Sequence, residues 1–384
     1  MQNILEAQAS LASTQLVALT DCRGYEQDSV DLAVASAVAA LEAVDMNGAT
    51  VLIKPNLLLA FEPERAATTH PAIVRALIRA AKGAGAARVL VGDSPGWQGL
   101  SSVAAKTGMS AVVRGEGAAW ADFSEGVSVD LPEGSLIRRF EIARAVVEAD
   151  LVINAPKLKT HGLMYYTGAV KNLFGCIPGL KKSAFHLRFP GRAEFAAMLA
   201  DLYLAVKPAL NVMDAVVAME GAGPSNGKPE DIGLVLASRS AFALDWLAAG
   251  IIGYDPADVP YLGLAARDSR YGLDLSALSW VGQDPAARRV HHFERVRVLK
   301  ETDFFRRKMP AWAHGLARNL SVPRPFFSDG LCVRCGGCVK ICPAQCLSFQ
   351  EGKHAPRVDY GACIRCYCCH EVCPADAIRL ARRP

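Results

Sequence analysis

Ten of the twelve cysteines in this 384-residue chain lie between Cys332 and Cys373, while Cys22 and Cys176 stand alone. Cys332, Cys335, Cys338 and Cys342 form C-x-x-C-x-x-C-x-x-x-C followed by Pro343, and Cys363, Cys366, Cys369 and Cys373 repeat the pattern before Pro374. Three thiolates at i, i+3 and i+6 on a tight loop can grip three irons of one cubane, while the fourth cysteine points towards a second cluster. The spacing therefore predicts two [4Fe-4S] clusters with crossed ligand sets. Cys332, Cys335 and Cys338 with Cys373 would hold one, and Cys363, Cys366 and Cys369 with Cys342 the other. Zinc takes four ligands and has no use for two overlapping sets of this form. Cys346 and Cys368 fit neither set and read as small buried thiols.

A second group of residues has the composition of an anion site. From Leu151 to Ala193 there is no Asp or Glu, whereas Lys157, Lys159, Lys171, Lys181, Lys182, Arg188 and Arg192 supply seven positive charges beside His161 and His186. A solvated basic face would tolerate such a run, but here glycines and aromatics are interleaved with it, and glycine lets backbone approach a ligand closely. Lys54, Asn56 and Asp93 leave two probable strands in the same way as Lys157, and ligands in open parallel sheets sit beyond the carboxyl ends of strands. Together with Asn172 and Asp214 these form the predicted substrate contacts. Reduction must be matched by protons, so Lys159, His161, Lys171, His186 and Tyr166 are the candidate catalytic groups. A metal between His161 and His186 would need distant carboxylates such as Asp214 or Glu220, against the sign of the local charge.

These residues need a frame. Half of the chain is hydrophobic and 21% is charged, the usage of a well-buried α/β protein. Short β-branched or leucine-rich runs at 15–20, 50–58 and 88–92 alternate with helix-length segments at 28–44 and 70–83, which argues for a mostly parallel sheet with covering helices. Further strands are expected at 151–155, 211–218 and 232–237, with a helix at 240–252. The division expected is an α/β catalytic or ligand-binding domain over 1–301, a docking linker over 302–330, and a small α+β ferredoxin-like domain over 331–384. In the linker, Phe305, Met309, Trp312 and Leu316 recur at helical spacing and read as an apolar docking face.

With these elements placed, residues 15–300 resemble the domain-of-unknown-function 362 family. The likeness rests on IKPNLL at 53–58, TTHP at 68–71, VGDSPG at 91–96 and NAPKLKTHGLMYYTGAVKNLFGCIPGLKK at 154–182. Residues 331–380 resemble bacterial two-cluster ferredoxins, including the CPA of Cys342–Ala344 and Cys373–Ala375. The second resemblance implies single electrons passed at low potential. The first leaves the reaction open.

Other chemistries lack their motifs. No G-x-G-x-x-G follows a strand, no Walker A sequence occurs, and a radical-SAM cysteine triplet is missing from the main domain. The net charge of +4 is small for this length, so neither nucleic acid nor a membrane surface is an expected partner. The N-terminal residues do not read as a signal peptide, no spanning segment is apparent, and the expected location is cytoplasmic. The reading is an iron–sulfur oxidoreductase passing electrons from an external low-potential donor to a small anionic or phenolic substrate, with a hydroxylated aromatic ring as one candidate. Its rival is a redox accessory protein serving a protein partner or metallocofactor assembly. Either accommodates a homo-oligomer.

Overall fold

The computed structural model describes residues 15–296 and 322–381. The main sheet is built from β1 (Leu16–Asp21), β2 (Thr50–Pro55), β3 (Arg88–Val91), β4 (Ala119–Trp120), β7 (Leu151–Ala155), β10 (Leu210–Glu220), β11 (Lys228–Ser238) and β12 (Ser279–Gly282). Its order is β12-β1-β11-β10-β7-β2-β3-β4. β10, β7, β2, β3 and β4 run parallel, and β11 is antiparallel to both β1 and β10. β5 (Gly126–Asp130) and β6 (Arg139–Ala143) make a separate hairpin. Val51, Leu52 and Ile53 of β2 are completely buried, as expected for a parallel strand covered on both faces. On one face pack Val30, Val34, Ile73 and Leu77 of the helices Gln27–Ala39 and Pro71–Gly83. On the other pack Phe195, Leu199, Phe242 and Leu244 of the helices Arg192–Val206 and Ala241–Ile251.

The segment after Pro156, expected to leave the sheet as a loop, instead forms β8 (Lys157–His161) and β9 (Tyr165–Thr167), with β8 pairing to β10 and β9. Alternating apolar and polar residues make a strand here because Leu158 can pack inward while its neighbours reach polar partners. The residues Lys157, Lys159 and His161, two apart, then share one side of the strand.

The C-terminal module holds two short helices, Gly337–Ile341 and Cys368–Glu371, and two small sheets. β14 (Leu347–Ser348) pairs with β15 (Arg357–Val358), and β13 (Arg324–Phe327) pairs with β16 (Ile378–Ala381). Residues 324–327, expected in the linker, are thus built into this module's sheet. The helical spacing from Phe305 to Leu316 lies outside the described residues. The module packs Ile341, Cys368 and Val372 against Leu59, Phe61, Ala67 and Met219 of the main domain, and Asn226 Nδ2 donates to the His370 carbonyl at 3.1 Å. Among the described residues no helix is long and apolar enough to cross a membrane.

Candidate functional site

Each cysteine triplet runs into a short helix, Gly337–Ile341 holding Cys338 and Cys368–Glu371 holding Cys369, and the fourth cysteine of each set follows it. Cys332, Cys335, Cys338 and Cys373 line one cavity, and Cys342, Cys363, Cys366 and Cys369 line a second, with Cys346 and Cys368 in its wall. Burial pushes the Cys338 thiol up to about 12, with neighbouring cysteines adding to it, and carries Cys369 well above the ordinary thiol range. Buried sulfurs that repel one another as thiolates are a donor set for a cationic centre. No three His, Cys, Asp or Glu donors among the described residues converge on a single-ion position. Ligands arranged around a cavity suit a cluster that fills it.

A second crevice, of about 110 Å³, lies where the two parts of the chain meet. Lys54 and Asn56 come from the carboxyl end of β2, and Asp93 and Ser94 from that of β3. Lys171 and Asn172 belong to the short helix Ala169–Asn172, and Lys182 and His186 to the helix Lys181–Arg188. Cys368, Glu371 and Val372 of the C-terminal module close the wall.

Most of these polar groups hold one another. Lys54 Nζ stands 2.8 Å from Asp93 Oδ1 and 3.3 Å from Asn172 Oδ1. Lys159, just behind, donates to Asn56 Oδ1 at 2.8 Å and to the Ala67 carbonyl at 2.7 Å. Lys182 donates to Ser94 Oγ at 2.6 Å and to the carbonyls of Ser94 and Ile177. Three groups remain without a hydrogen-bond partner among the described residues. The Lys171 ammonium lies over the Phe174 ring, at 5.1 Å, and is attracted by the Glu371 carboxylate. His186 is buried and stacked on Phe195 with its Nδ1 unpaired. Glu371 Oε1 lies 3.2 Å from His161 Nε2 without the alignment of a hydrogen bond.

Burial lowers the lysines: Lys182 to about 8 and Lys159 to about 7, the latter also depressed by Lys171 and Lys157. Burial brings His186 to about 3, so its imidazole is neutral. Lys171 is lowered by burial and partly restored by Glu371, whose own value burial raises. A bound anion would relieve this crowding of positive charge.

Gly175 makes the Lys54–Asp93 pair possible, since a Cβ there would overlap Asp93 Oδ1 and stand 2.7 Å from Lys54 Nζ. Gly175→Ala should therefore cost about 1–3 kcal/mol by overpacking, a fall of roughly 2–10 °C in the calorimetric Tm. Gly24→Ala, with nothing within 4 Å of the new Cβ, should leave Tm unchanged; equal Tm values for both variants would refute the packing argument.

The predicted residues are divided by the fold. Lys54, Asn56, Asp93, Lys171, Asn172 and His186 line the crevice, and Lys159 supports it through Asn56. Lys157 is instead locked to Asp214 at 2.8 Å and to Tyr25. Tyr166 donates to Asp245 at 3.0 Å. That carboxylate also accepts from the Ala169 and Val170 amides and so anchors the helix bearing Lys171. His161 is buried, and its Nδ1 accepts from the Leu163 and Met164 amides. Ser94 and Lys182 were visible in the sequence only as members of a loop and a basic run. Glu371 and Cys368 gave no sequence signal for this crevice, because they reach it from another part of the chain.

Residues 51–250 match the family model described as a domain of unknown function (DUF362), and residues 331–377 match that of a 4Fe-4S dicluster domain. A thylakoid-associated protein of Synechocystis sp. is 34% identical over 260 residues, which cover 67% of this chain and 79% of that protein. Among solved structures, the lactate racemase apoprotein from Thermoanaerobacterium thermosaccharolyticum aligns with a TM-score of 0.37 and 16% identity, over 59% of this chain and 54% of that one. A protein from Thermotoga maritima aligns with a TM-score of 0.36 and 13% identity, over 58% of this chain and 57% of that one. This chain spans a little over half of each structure. The C-terminal module is a 4Fe-4S ferredoxin-type domain, a device for iron–sulfur electron transfer.

Proposed function

The chain belongs to the DUF362 family and ends in a ferredoxin-type domain, and from that premise we propose that it is an oxidoreductase that reduces a small anionic or phenolic molecule bound in the basic crevice. The observation that carries this reading is a shared wall: Cys368 lines both the crevice and the cavity of Cys342, Cys363, Cys366 and Cys369. Bound at the two cysteine sets, two [4Fe-4S] clusters would supply single electrons at low potential. Reducing one unsaturated bond takes two electrons, from an external low-potential donor, and two protons.

The remaining work falls to side chains. Lys171, with no hydrogen-bond partner among the described residues, takes the ligand's negative end and donates a proton, and water restores it. Lys54 and Lys182 stabilise charge that develops on oxygen. Phe174 and Val372 cover the apolar part of the ligand. At about 110 Å³ the crevice is well below the roughly 300 Å³ at which sites for drug-sized ligands begin. The substrate is accordingly small, and a singly ringed hydroxylated aromatic is the candidate that combines these features.

The test is to reduce the protein anaerobically and follow its reoxidation by small anions and phenols. Saturable reoxidation that Lys171→Met slows about 100-fold is expected; equal rates in both proteins would sink the proposal and favour a carrier that serves a protein partner. Affinity should also depend on pH. An anion raises the values of Lys159 and Lys182 from about 7 and about 8, so binding takes up protons near neutrality. For a benzoate probe, whose charge is constant above about pH 6, affinity should be greatest below pH 7 and weaken up to about tenfold per unit as pH rises through 7 and 8. A flat profile would show that these lysines do not sense the ligand.

A further inference from the structure

Lys171 differs from the other lysines of the crevice in how it is held. Lys54 and Lys182 have polar partners that fix their ammonium groups, and so has Lys159 behind them. The Lys171 ammonium has no hydrogen-bond partner among the described residues, so its position follows from its backbone. That backbone is the four-residue helix Ala169–Asn172, too short to be stable by its own hydrogen bonds.

Two anchors hold this helix. At its end, Asn172 Nδ2 donates to Asn154 Oδ1 at 2.8 Å, and Asn154 Nδ2 donates to the Ala169 carbonyl at 2.9 Å. At its start stands Asp245, which belongs to the helix Ala241–Ile251 and is completely buried. Its Oδ1 accepts from the Ala169 amide at 2.6 Å, and its Oδ2 from the Val170 amide at 3.0 Å. The Tyr166 hydroxyl donates to Oδ1 at 3.0 Å and the Tyr261 hydroxyl to Oδ2 at 3.2 Å.

The free amides at a helix start are commonly capped by the side chain just before them. Here that residue is Gly168, where a Cβ would stand 2.1 Å from both Asp245 Oδ1 and the Tyr166 hydroxyl. The cap comes instead from a carboxylate 75 residues further on. Burial carries the Asp245 carboxyl up to about 7. A tyrosine hydroxyl can accept as well as donate, so both amides stay capped with or without that proton. An Asn in its place would turn an NH2 against one of the two N–H groups. Asp245 itself is not part of the crevice lining.

We propose that Asp245 is the positioning residue for Lys171, setting its ammonium in the crevice through the Ala169 and Val170 amides. The inference rests on the crevice being the ligand site. It accounts for a buried carboxylate that forms no ion pair among the described residues.

Benzoate affinity is measured at equilibrium on the full-length protein and on Asp245→Asn, Lys171→Met and the double variant. Asp245→Asn should weaken binding several-fold, short of the roughly tenfold expected of Lys171→Met. In the double variant it should add nothing, because residues that act through one group are not additive. Tyr261→Phe keeps both amide bonds and should bind nearly as the parent does. Unchanged affinity in Asp245→Asn, an equal further loss in the Lys171→Met background, or a loss in Tyr261→Phe as large as in Asp245→Asn would each overturn the proposal. Should Asp245→Asn not fold, Gly168→Ala, whose methyl displaces the same carboxylate, must show the same non-additivity; if neither folds, Asp245 is a folding residue and the proposal falls. Benzoate that fails to bind even the parent would remove the proposed ligand site and leave the positioning claim to be decided by labelling. Acetic anhydride should then acetylate Lys171 faster in Asp245→Asn than in the parent, with the exposed Lys353 unchanged, as located by mass spectrometry. Equal rates at Lys171 would overturn the claim.

Discussion

Cys366→Ala is expected to retain about four of the roughly eight irons and eight sulfides that two complete cysteine sets would hold, and to lose reductive turnover entirely. The loss is expected because Cys366 belongs to the set whose cavity shares Cys368 with the crevice. Cys346→Ser provides the contrast. Its thiol lies 3.5 Å from Cys342 Sγ in the same cavity yet stands outside the repeating pattern, so its iron and sulfide should match the parent. Iron and acid-labile sulfide measured on anaerobic preparations decide the matter. Zinc without sulfide in the parent protein, or iron lost from Cys346→Ser, would refute the ligand assignment.

Lys171→Met should lower turnover about 100-fold and weaken binding of a benzoate probe about tenfold, because one ammonium both holds the anion and gives the proton. A charge-assisted hydrogen bond is worth roughly 1.5–3 kcal/mol, and loss of proton transfer accounts for the rest. Lys171→Arg should recover binding but not turnover, since guanidinium remains charged and is a poor proton donor. Lys157→Met is the informative comparison. Lys157 belongs to the same basic run but is buried against Asp214 at 2.8 Å, and removing one partner of such a pair costs about 3–5 kcal/mol. It should lower Tm while leaving the kinetics of whatever protein remains folded close to normal. If Lys157→Met and Lys171→Met shared one phenotype, the separation of core from crevice would be wrong.

The repeating cysteine sets were legible because covalent spacing decides them. Eight cysteines at i, i+3, i+6 and i+10 constrain the geometry of a loop and a helix start within a dozen residues, and no distant contact is needed to recognise that. The parallel sheet was legible for a related reason, since buried strands and alanine-rich helices leave local periodicities. Lys54, Asn56 and Asp93 followed from the same logic, as residues that leave the carboxyl ends of adjacent strands.

The basic run was legible as charge but not as position. Lys157, Lys159, Lys171 and Lys182 look alike in sequence, and their different fates depend on partners 57 to 103 residues away: Asp214 for the first, Asn56 and Ala67 for the second, Ser94 for the last. Lys171 is distinguished by having no hydrogen-bond partner among the described residues, which no local pattern can express. Asp245 shows the same limit, because its hold on the Ala169 and Val170 amides joins a helix to a segment 75 residues earlier.

By itself, then, the sequence determined the cysteine sets, the α/β class and the presence of a basic region. Tertiary structure decided which lysines are sealed into ion pairs and which face a crevice, and it brought Cys368 and Glu371 of the C-terminal module to that crevice's wall. The physical reason is range. Ligand spacing and strand periodicity are fixed over a few bonds, whereas the burial and pairing of a charge depend on whichever surfaces the packed chain brings together.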